Sequence, residues 1–94
     1  MIYPATGYSI GCSQDMINLA SQTIIDSYEK YTFNENFAIF NACTDIKNNF
    51  IKKYGGKWNV VIYDQKYGNS SIDADQYMKF KFNEYEIKIF KTSS

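Results

Sequence analysis

The clearest pattern in the chain is a strict alternation of apolar and polar residues in two neighbouring stretches. Tyr77–Phe82 and Tyr85–Lys91 both repeat with a period of two, which predicts a pair of β-strands. Asn83-Glu84 between them fits a tight hairpin turn. A hairpin closed at this turn places Lys81 opposite Glu86, a favourable cross-strand pair. We therefore predict an antiparallel hairpin with a regular register.

The two faces of this predicted hairpin differ in polarity. The apolar face carries Met78, Phe80, Phe82, Tyr85, Ile87 and Ile89. The other face carries Lys79, Lys81, Glu86 and Lys88. Because successive side chains of a strand point to opposite sides of the sheet, we expect the first face in the core and the second in water or against an acidic partner.

Two stretches that precede the hairpin have the periodicity of amphipathic helices. The first is predicted from about Gln14 to Lys30, with Ser13 as its N-cap and Asp15 in its first turn. The second is predicted to end at Gly55-Gly56, because glycine accepts the conformation that follows a helix. Its predicted buried stripe consists of Phe37, Ile39, Phe40, Cys43, Ile46, Phe50 and Tyr54.

The remaining segments predict further strands. Trp58–Tyr63 is rich in β-branched and aromatic residues, and Tyr8–Ile10 is a candidate for a short strand. Tyr67–Ile72 is a much more polar strand, which fits poorly in a core that is buried on both sides. We expect it at a sheet edge, either paired with another chain or kept short and polar to prevent such pairing. The order of helix, helix and antiparallel strands makes residues 1–94 one α+β domain.

Composition narrows the possible functions. The 94 residues contain 10 basic and 10 acidic side chains, and this zero net charge argues against binding to nucleic acid or to a membrane surface. The N-terminal residues resemble neither a signal peptide nor a membrane span, so we expect a cytosolic protein.

Catalytic chemistry is scarce in this sequence. The absence of histidine removes the commonest general base and transition-metal ligand. Cys12 and Cys43 have no C-x-x-C spacing, and we expect two reduced thiols rather than a zinc site or a disulfide scaffold. Asp73 and Asp75 flank a turn and are expected to be solvated. We therefore expect a protein with neither enzymatic activity nor a cofactor.

Several features occur in an order that one family shares. They are Glu29-Lys30-Tyr31 and Lys52-Lys53-Tyr54 at the ends of the two helices, Trp58 at the start of a strand, Tyr67-Gly68 at the start of the next, and the aromatic hairpin. From Ser13 to Ser94 the chain resembles the small dynein light chains, both the homodimeric hub type and its axonemal relatives.

The resemblance implies two helices, a five-stranded antiparallel sheet and a symmetric homodimer. In the family, the polar strand crosses to the tryptophan strand of the partner subunit, and short disordered segments add to it as a further strand. The implied peptide-binding residues are Lys66, Tyr67, Gly68, Asn69, Ser70, Ser71, Ile72 and Asp73, with an apolar floor of Met78, Phe80, Phe82 and Ile89. The implied dimer interface contains Trp58, Asn59, Val61, Tyr67 and Ser93.

The resemblance also implies partners and a location. The partners are dynein intermediate or heavy chains and other proteins with short disordered motifs. The location is the cytoplasm, on microtubules or in the axoneme of a cilium or flagellum. Neither nucleic acid nor membrane is implied as a partner.

Some positions depart from the residues usual in the family. Ser70 stands where the groove strand usually carries tyrosine, Asp73 where it usually carries histidine, and Asn59 where the interface usually carries histidine. We therefore keep a second hypothesis, a divergent structural subunit that lacks the groove and binds one large partner through the charged hairpin face. A third, a small protease inhibitor or hydrolase, is disfavoured by the absence of histidine and of a Gln-x-Val-x-Gly loop.

Overall fold

The computed structural model describes residues 4–66 and 72–92, which form two helices and a four-stranded antiparallel sheet. The elements in chain order are β1 (Ala5–Ile10), α1 (Gln14–Tyr31), α2 (Asn36–Tyr54), β2 (Lys57–Asp64), β3 (Gln76–Phe82) and β4 (Tyr85–Thr92). In space the strands are ordered β1-β3-β4-β2. The predicted α+β class is confirmed. The predicted polar strand falls largely on residues 67–71, outside the described residues.

The C-terminal hairpin has the predicted register. Phe82 pairs with Tyr85 and Lys81 with Glu86. Asn83 in the turn has a positive φ of 56°, a conformation that asparagine tolerates better than most residues. The carboxylate of Glu86, however, forms its ion pair with Lys79 rather than with Lys81. The sequence pattern predicts the register but not this diagonal contact.

Local chemistry sets the ends of α1. The Ser13 hydroxyl accepts a hydrogen bond from the Met16 N–H at 3.2 Å, so α1 begins where predicted. Thr32 and Phe33, which follow the helix, both have positive φ angles of 61° and 58°. Phe33 is nonetheless only 1% exposed, and its carbonyl accepts a hydrogen bond from the Tyr85 hydroxyl at 2.8 Å. The connection between the helices is therefore attached to the C-terminal hairpin.

The prediction for the buried stripe of α2 was wrong in part. The buried residues of this helix are Ala38, Ala42, Ile46 and Phe50. Phe37 and Phe40 are 73% and 66% exposed. The physical reason is that α2 packs against both α1 and β2, and the small side chains of the two alanines allow close approach. The line of residues spaced four apart faces inward, and the two phenylalanines are rotated outward.

One face of the sheet forms the core with the helices. The strand residues in this cluster are Trp58, Ile62, Met78, Phe80, Phe82, Ile87 and Ile89, and they pack with Ile24, Phe33, Ile46 and Phe50. The alternation of the predicted hairpin is confirmed, since its apolar positions lie on this face. Neither of the two helices in residues 4–66 has the length and hydrophobicity that a membrane span requires.

Candidate protein-interaction site

The sheet has one edge that lies beside a helix. β2 is an outermost strand of the sheet, and α2 packs against it. No strand within residues 4–66 and 72–92 pairs with the outer edge of β2. An unpaired edge presents backbone N–H and C=O groups that can bind another extended chain. This edge is the candidate interaction site.

A depression of about 260 Å³ lies between α2 and β2. Its lining residues are Phe40, Cys43, Thr44, Lys47, Asn59 and Val60. Burial raises the pKa of the Cys43 thiol to about 11, although a hydrogen bond with the Ile62 backbone and the nearby Lys47 ammonium act in the opposite direction. The thiol is therefore neutral at pH 7 and is not poised as a nucleophile.

The residues predicted for peptide binding are placed in three groups. Tyr67, Gly68, Asn69, Ser70 and Ser71 lie outside the described residues. Lys66 and Asp73 are exposed and Ile72 is half-buried. Met78, Phe80, Phe82 and Ile89 are each 5% exposed or less, because they lie under the helices in the core. These four side chains belong to the core cluster that supports the sheet from the helix side.

The residues predicted for the dimer interface divide in the same way. Trp58 is 2% exposed, and its indole N–H donates a hydrogen bond to the Gly55 carbonyl at 2.9 Å. Asn59 and Val61 are half-buried; Val61 lies on the face of β2 away from the helices, and Asn59 lines the depression beside α2. Tyr67 and Ser93 lie outside the described residues. Trp58 is thus a core anchor, whereas Asn59 and Val61 are accessible to another chain.

The charged face of the hairpin is largely satisfied within the chain. Lys79 Nζ lies 2.7 Å from Glu86 Oε1, and Lys88 Nζ lies 5.5 Å from the centre of the Tyr63 ring. Burial raises the pKa of Glu86, but hydrogen bonds from Lys79 and Tyr63 outweigh it and the net pKa is lowered. Lys88 is only 4% exposed. This face therefore offers an incoming partner less free charge than its sequence indicates.

Sequence reasoning missed Phe37 and Phe40 as surface residues, because it assigned both to the core. The signal that could have identified them is the spacing Ala38, Ala42, Ile46, which defines a competing inward stripe of small and apolar residues. No group of three or more potential metal ligands occurs in the part of the chain that the structure describes.

The fold and this edge can be compared with known proteins. The family described as dynein light chain type 1 matches residues 8–92. The chain belongs to the dynein light chain family. Members of this family are in general structural or adaptor domains without enzymatic activity.

Solved dynein light chain-like domains share the fold of this family member. Two structures of that domain from the Fasciola hepatica calcium binding protein FhCaBP2 match it. The native form has a TM-score of 0.78 at 15% identity, covering 96% of this chain and 91% of that chain. The mercury derivative has a TM-score of 0.72 at 17% identity, covering 99% and 92%. The DLC-like domain of CsTAL3 has a TM-score of 0.77 at 15% identity, covering 97% and 94%. No curated protein sequence matches the chain.

Proposed function

We propose that this dynein light chain is a dimerising hub that binds short linear segments of other proteins by β-strand addition. The observation that carries the proposal is the open outer edge of β2 beside α2, among the described residues. Its partners would be dynein intermediate or heavy chains and other proteins with disordered motifs. Its site of action would be the microtubule cytoskeleton in the cytoplasm or in an axoneme.

In this proposal the segment of residues 66–73 crosses to the partner subunit and pairs with the outer edge of its β2. The segment of a client protein then adds to the crossed strand, on the side that faces α2. Main-chain hydrogen bonds supply most of the affinity in strand addition, so the polar side chains of the crossed strand are compatible with this role. A dimer would hold two client segments, and the high effective concentration of the second would promote motor assembly.

Oligomeric state gives the first test of the proposal. Sedimentation at tens of micromolar is expected to show a dimer. Val61→Lys is expected to shift the equilibrium towards monomer. The new lysine lies opposite Lys88 and extends the cross-strand row of Lys88 and Lys79 to three lysines. Lys81→Ala, an exposed change at the far side of the same face, is the control and is expected to leave the dimer intact. A wild-type monomer at these concentrations would contradict the dimeric hub.

An NMR titration gives the second test. Synthetic peptides that cover the disordered segments of a dynein intermediate chain are added to ¹⁵N-labelled protein. The expected result is a set of shifts confined to β2, the start of α2 and residues 66–73. Shifts confined to the charged hairpin face would instead favour a structural subunit without a groove, as would a protein that responds to none of the peptides.

A further inference from the structure

β1 is the second open edge of the sheet, at the opposite end from β2. Within residues 4–66 and 72–92 it pairs with β3 alone. Proteins usually protect such an edge with charged side chains, proline or a bulge. β1 contains no charged residue, and five of its six residues are exposed. Its outer backbone groups are therefore open to another strand.

One protective feature is present, and it shortens the regular part of the edge. The register with β3 shifts between Thr6 and Tyr8, so Gly7 is the extra residue of a β-bulge. Gly11, which follows the strand, has a φ of +64°. The regular part of the edge is therefore Tyr8–Ile10, with a glycine on each side. We call this segment the β1 edge.

The side chains of the β1 edge continue an aromatic strip on the sheet face that lies away from the helices. Tyr8 contacts the Tyr77 ring edge-to-face, with ring centres 5.7 Å apart, and Tyr77 stacks on Phe90 at 6.4 Å. Tyr8 and Ile10 point to the same side of β1, because they are two residues apart. They are 50% and 44% exposed, whereas Tyr77 is only 8% exposed. The strip thus ends at the open edge with uncovered apolar surface.

The sequence around Ser9 is nearly palindromic in character. It reads Gly7-Tyr8-Ser9-Ile10-Gly11, with one apolar residue on each side of the serine and a glycine beyond each. When two copies of this segment pair antiparallel about a two-fold axis at Ser9, Tyr8 of each copy lies opposite Ile10 of the other. Both pairs fall on the side of the aromatic strip and are of a stabilising aromatic and β-branched type. The segment is therefore complementary to itself.

The surroundings add little repulsion to this pairing. Lys79 lies opposite Tyr8 in β3, and its ammonium group is 2.7 Å from Glu86 Oε1. The two copies of Lys79 would be three strand spacings apart, roughly 14 Å, which exceeds the Debye length of about 8 Å at physiological ionic strength. A second copy of this chain is thus a compatible partner by charge as well as by side-chain pattern.

We propose that β1 is a self-association edge, at which two copies of this protein pair antiparallel about Ser9 and join their sheets. This inference goes beyond the proposed function, because it concerns the edge opposite to β2. A dimer formed through β2 keeps both of its β1 edges free, so such dimers link end to end. Each contact buries far less than the roughly 1,200 Å² of a stable interface, so it acts where dimers are concentrated, as on one client chain.

Disulfide trapping tests the register. The background chain carries Cys12→Ser and Cys43→Ser, which remove the native thiols. In this background Ser9→Cys is expected to give disulfide-linked pairs of chains, because directly opposite residues have Cα atoms about 4.5–5.5 Å apart, within reach of a disulfide. Thr6→Cys is the control on the same strand, since the two copies of position 6 lie far apart in this register. Ser9→Cys is expected to cross-link at least about tenfold faster.

Sedimentation velocity at up to about 0.5 mM tests the contact without a cross-link. Wild type is expected to form species larger than the dimer as its concentration rises. Ser9→Lys places two ammonium groups opposite each other at the two-fold axis and is expected to remove these species. Gln22→Lys, an exposed change on α1 with the same change in charge, is the control and is expected to keep them. Circular dichroism is expected to show that each variant keeps the fold, because none of the replaced side chains is fully buried.

The outcomes keep the two edges of the sheet apart. Equal cross-linking of Ser9→Cys and Thr6→Cys, or a wild type that stays a dimer at every concentration, would overturn self-association at β1 and leave the β2 dimer intact. Val61→Lys, which is expected to break the β2 dimer, is expected to leave the Ser9→Cys cross-link unchanged. Loss of the cross-link in that variant would overturn the inference, because the trapped pair would then belong to the β2 dimer. A wild-type monomer that still cross-links through Ser9→Cys would support the β1 contact and contradict the dimeric hub.

Discussion

Lys79 Nζ lies 2.7 Å from Glu86 Oε1, although the residue directly opposite Lys79 in the hairpin is Lys88. Like charges in directly opposite positions destabilise a strand pair. Glu86 lies diagonally across the strand pair from Lys79 and two residues before Lys88 in β4. Its carboxylate therefore interacts favourably with both ammonium groups. The Glu86 carboxylate thereby offsets part of the repulsion between Lys79 and Lys88.

Replacement of this carboxylate tests the arrangement. Glu86→Gln is expected to lower the free energy of unfolding by about 1 kcal/mol, because Lys79 loses the carboxylate of its ion pair. Urea denaturation at pH 7 measures the change. Glu29→Gln, an exposed change on α1, is the control and is expected to have an effect below about 0.5 kcal/mol.

The loss of stability caused by Glu86→Gln is expected to depend on pH. The pKa of Glu86 is lowered from 4.5 in the folded state, so its stabilising contribution is present above pH 4.5 and is lost as the pH falls through the folded-state pKa. The difference in stability between wild type and Glu86→Gln is therefore expected to narrow below pH 4.5. A difference that stays constant as the pH falls would contradict the ion pair.

Trp58 joins the end of α2 to the sheet. Its indole packs against Phe50, with ring centres 4.8 Å apart, and donates its hydrogen bond to Gly55. Trp58→Phe is expected to cost about 1–3 kcal/mol, because the half-buried Gly55 carbonyl loses its donor and the smaller ring leaves a void. Thermal unfolding followed by circular dichroism measures this change, since the variant has no tryptophan for fluorescence.

Tyr54 provides a matched control for that experiment. Its ring belongs to the same aromatic cluster as Trp58, but its buried hydroxyl has no hydrogen-bond partner among the described residues. Tyr54→Phe removes an unsatisfied polar atom and is expected to leave stability unchanged or to raise it slightly. A loss as large as that of Trp58→Phe would contradict this outcome, because it would show that the Tyr54 hydroxyl itself stabilises the fold.

The small residues of α2 are expected to tolerate no enlargement. Ala42 is 0% exposed between the helices and the sheet, so Ala42→Leu is expected to cost about 1–3 kcal/mol through overpacking. Phe40→Ser changes more atoms but on the exposed side of the helix, and it is expected to change stability by less than about 0.5 kcal/mol. Chemical denaturation of the two variants compares them. An equal loss for both would contradict the observed orientation of α2.

Gly11 is required by a close backbone approach after β1. It has a φ of +64°, and a Cβ atom there would overlap the carbonyl of Asp75. Gly11→Ala is expected to cost at least about 2 kcal/mol, from the left-handed conformation and the forced displacement. Gly7→Ala is the control, because its Cβ would lie at an ordinary 3.6 Å from the Lys79 carbonyl. Thermal unfolding midpoints separate the two, and equal midpoints would contradict the close approach.

The sequence predicts those features that depend on neighbours in the chain. The N-cap of α1, the glycine end of α2 and the hairpin register each follow from a few adjacent residues, and each is confirmed. The α+β class follows from the order of these elements, and the resemblance to dynein light chains implies that the tryptophan strand, β2, pairs with another chain.

Features that depend on tertiary contacts were not predicted. Periodicity in α2 supports two stripes, and packing against α1 and β2 selects the one that contains Ala42 and exposes Phe40. The burial of Phe33 in a left-handed conformation depends on Tyr85, which is 52 residues later in the chain. The ion pair of Lys79 depends on side-chain reach across the sheet rather than on register.

The position of β4 has a consequence for how the domain is made. β4 lies between β2 and β3 in the sheet, although it follows every other element of the domain in the chain. During synthesis, β2 and β3 therefore cannot join one sheet until β4, the strand that pairs with both, has left the ribosome. The sheet is expected to form late and in one cooperative step, dominated by contacts between residues distant in sequence, and this topology favours slow folding. A chain that stops before Tyr85 would lack β4 and would expose apolar side chains of β2 and β3. Such truncated products are expected to be degraded or to aggregate.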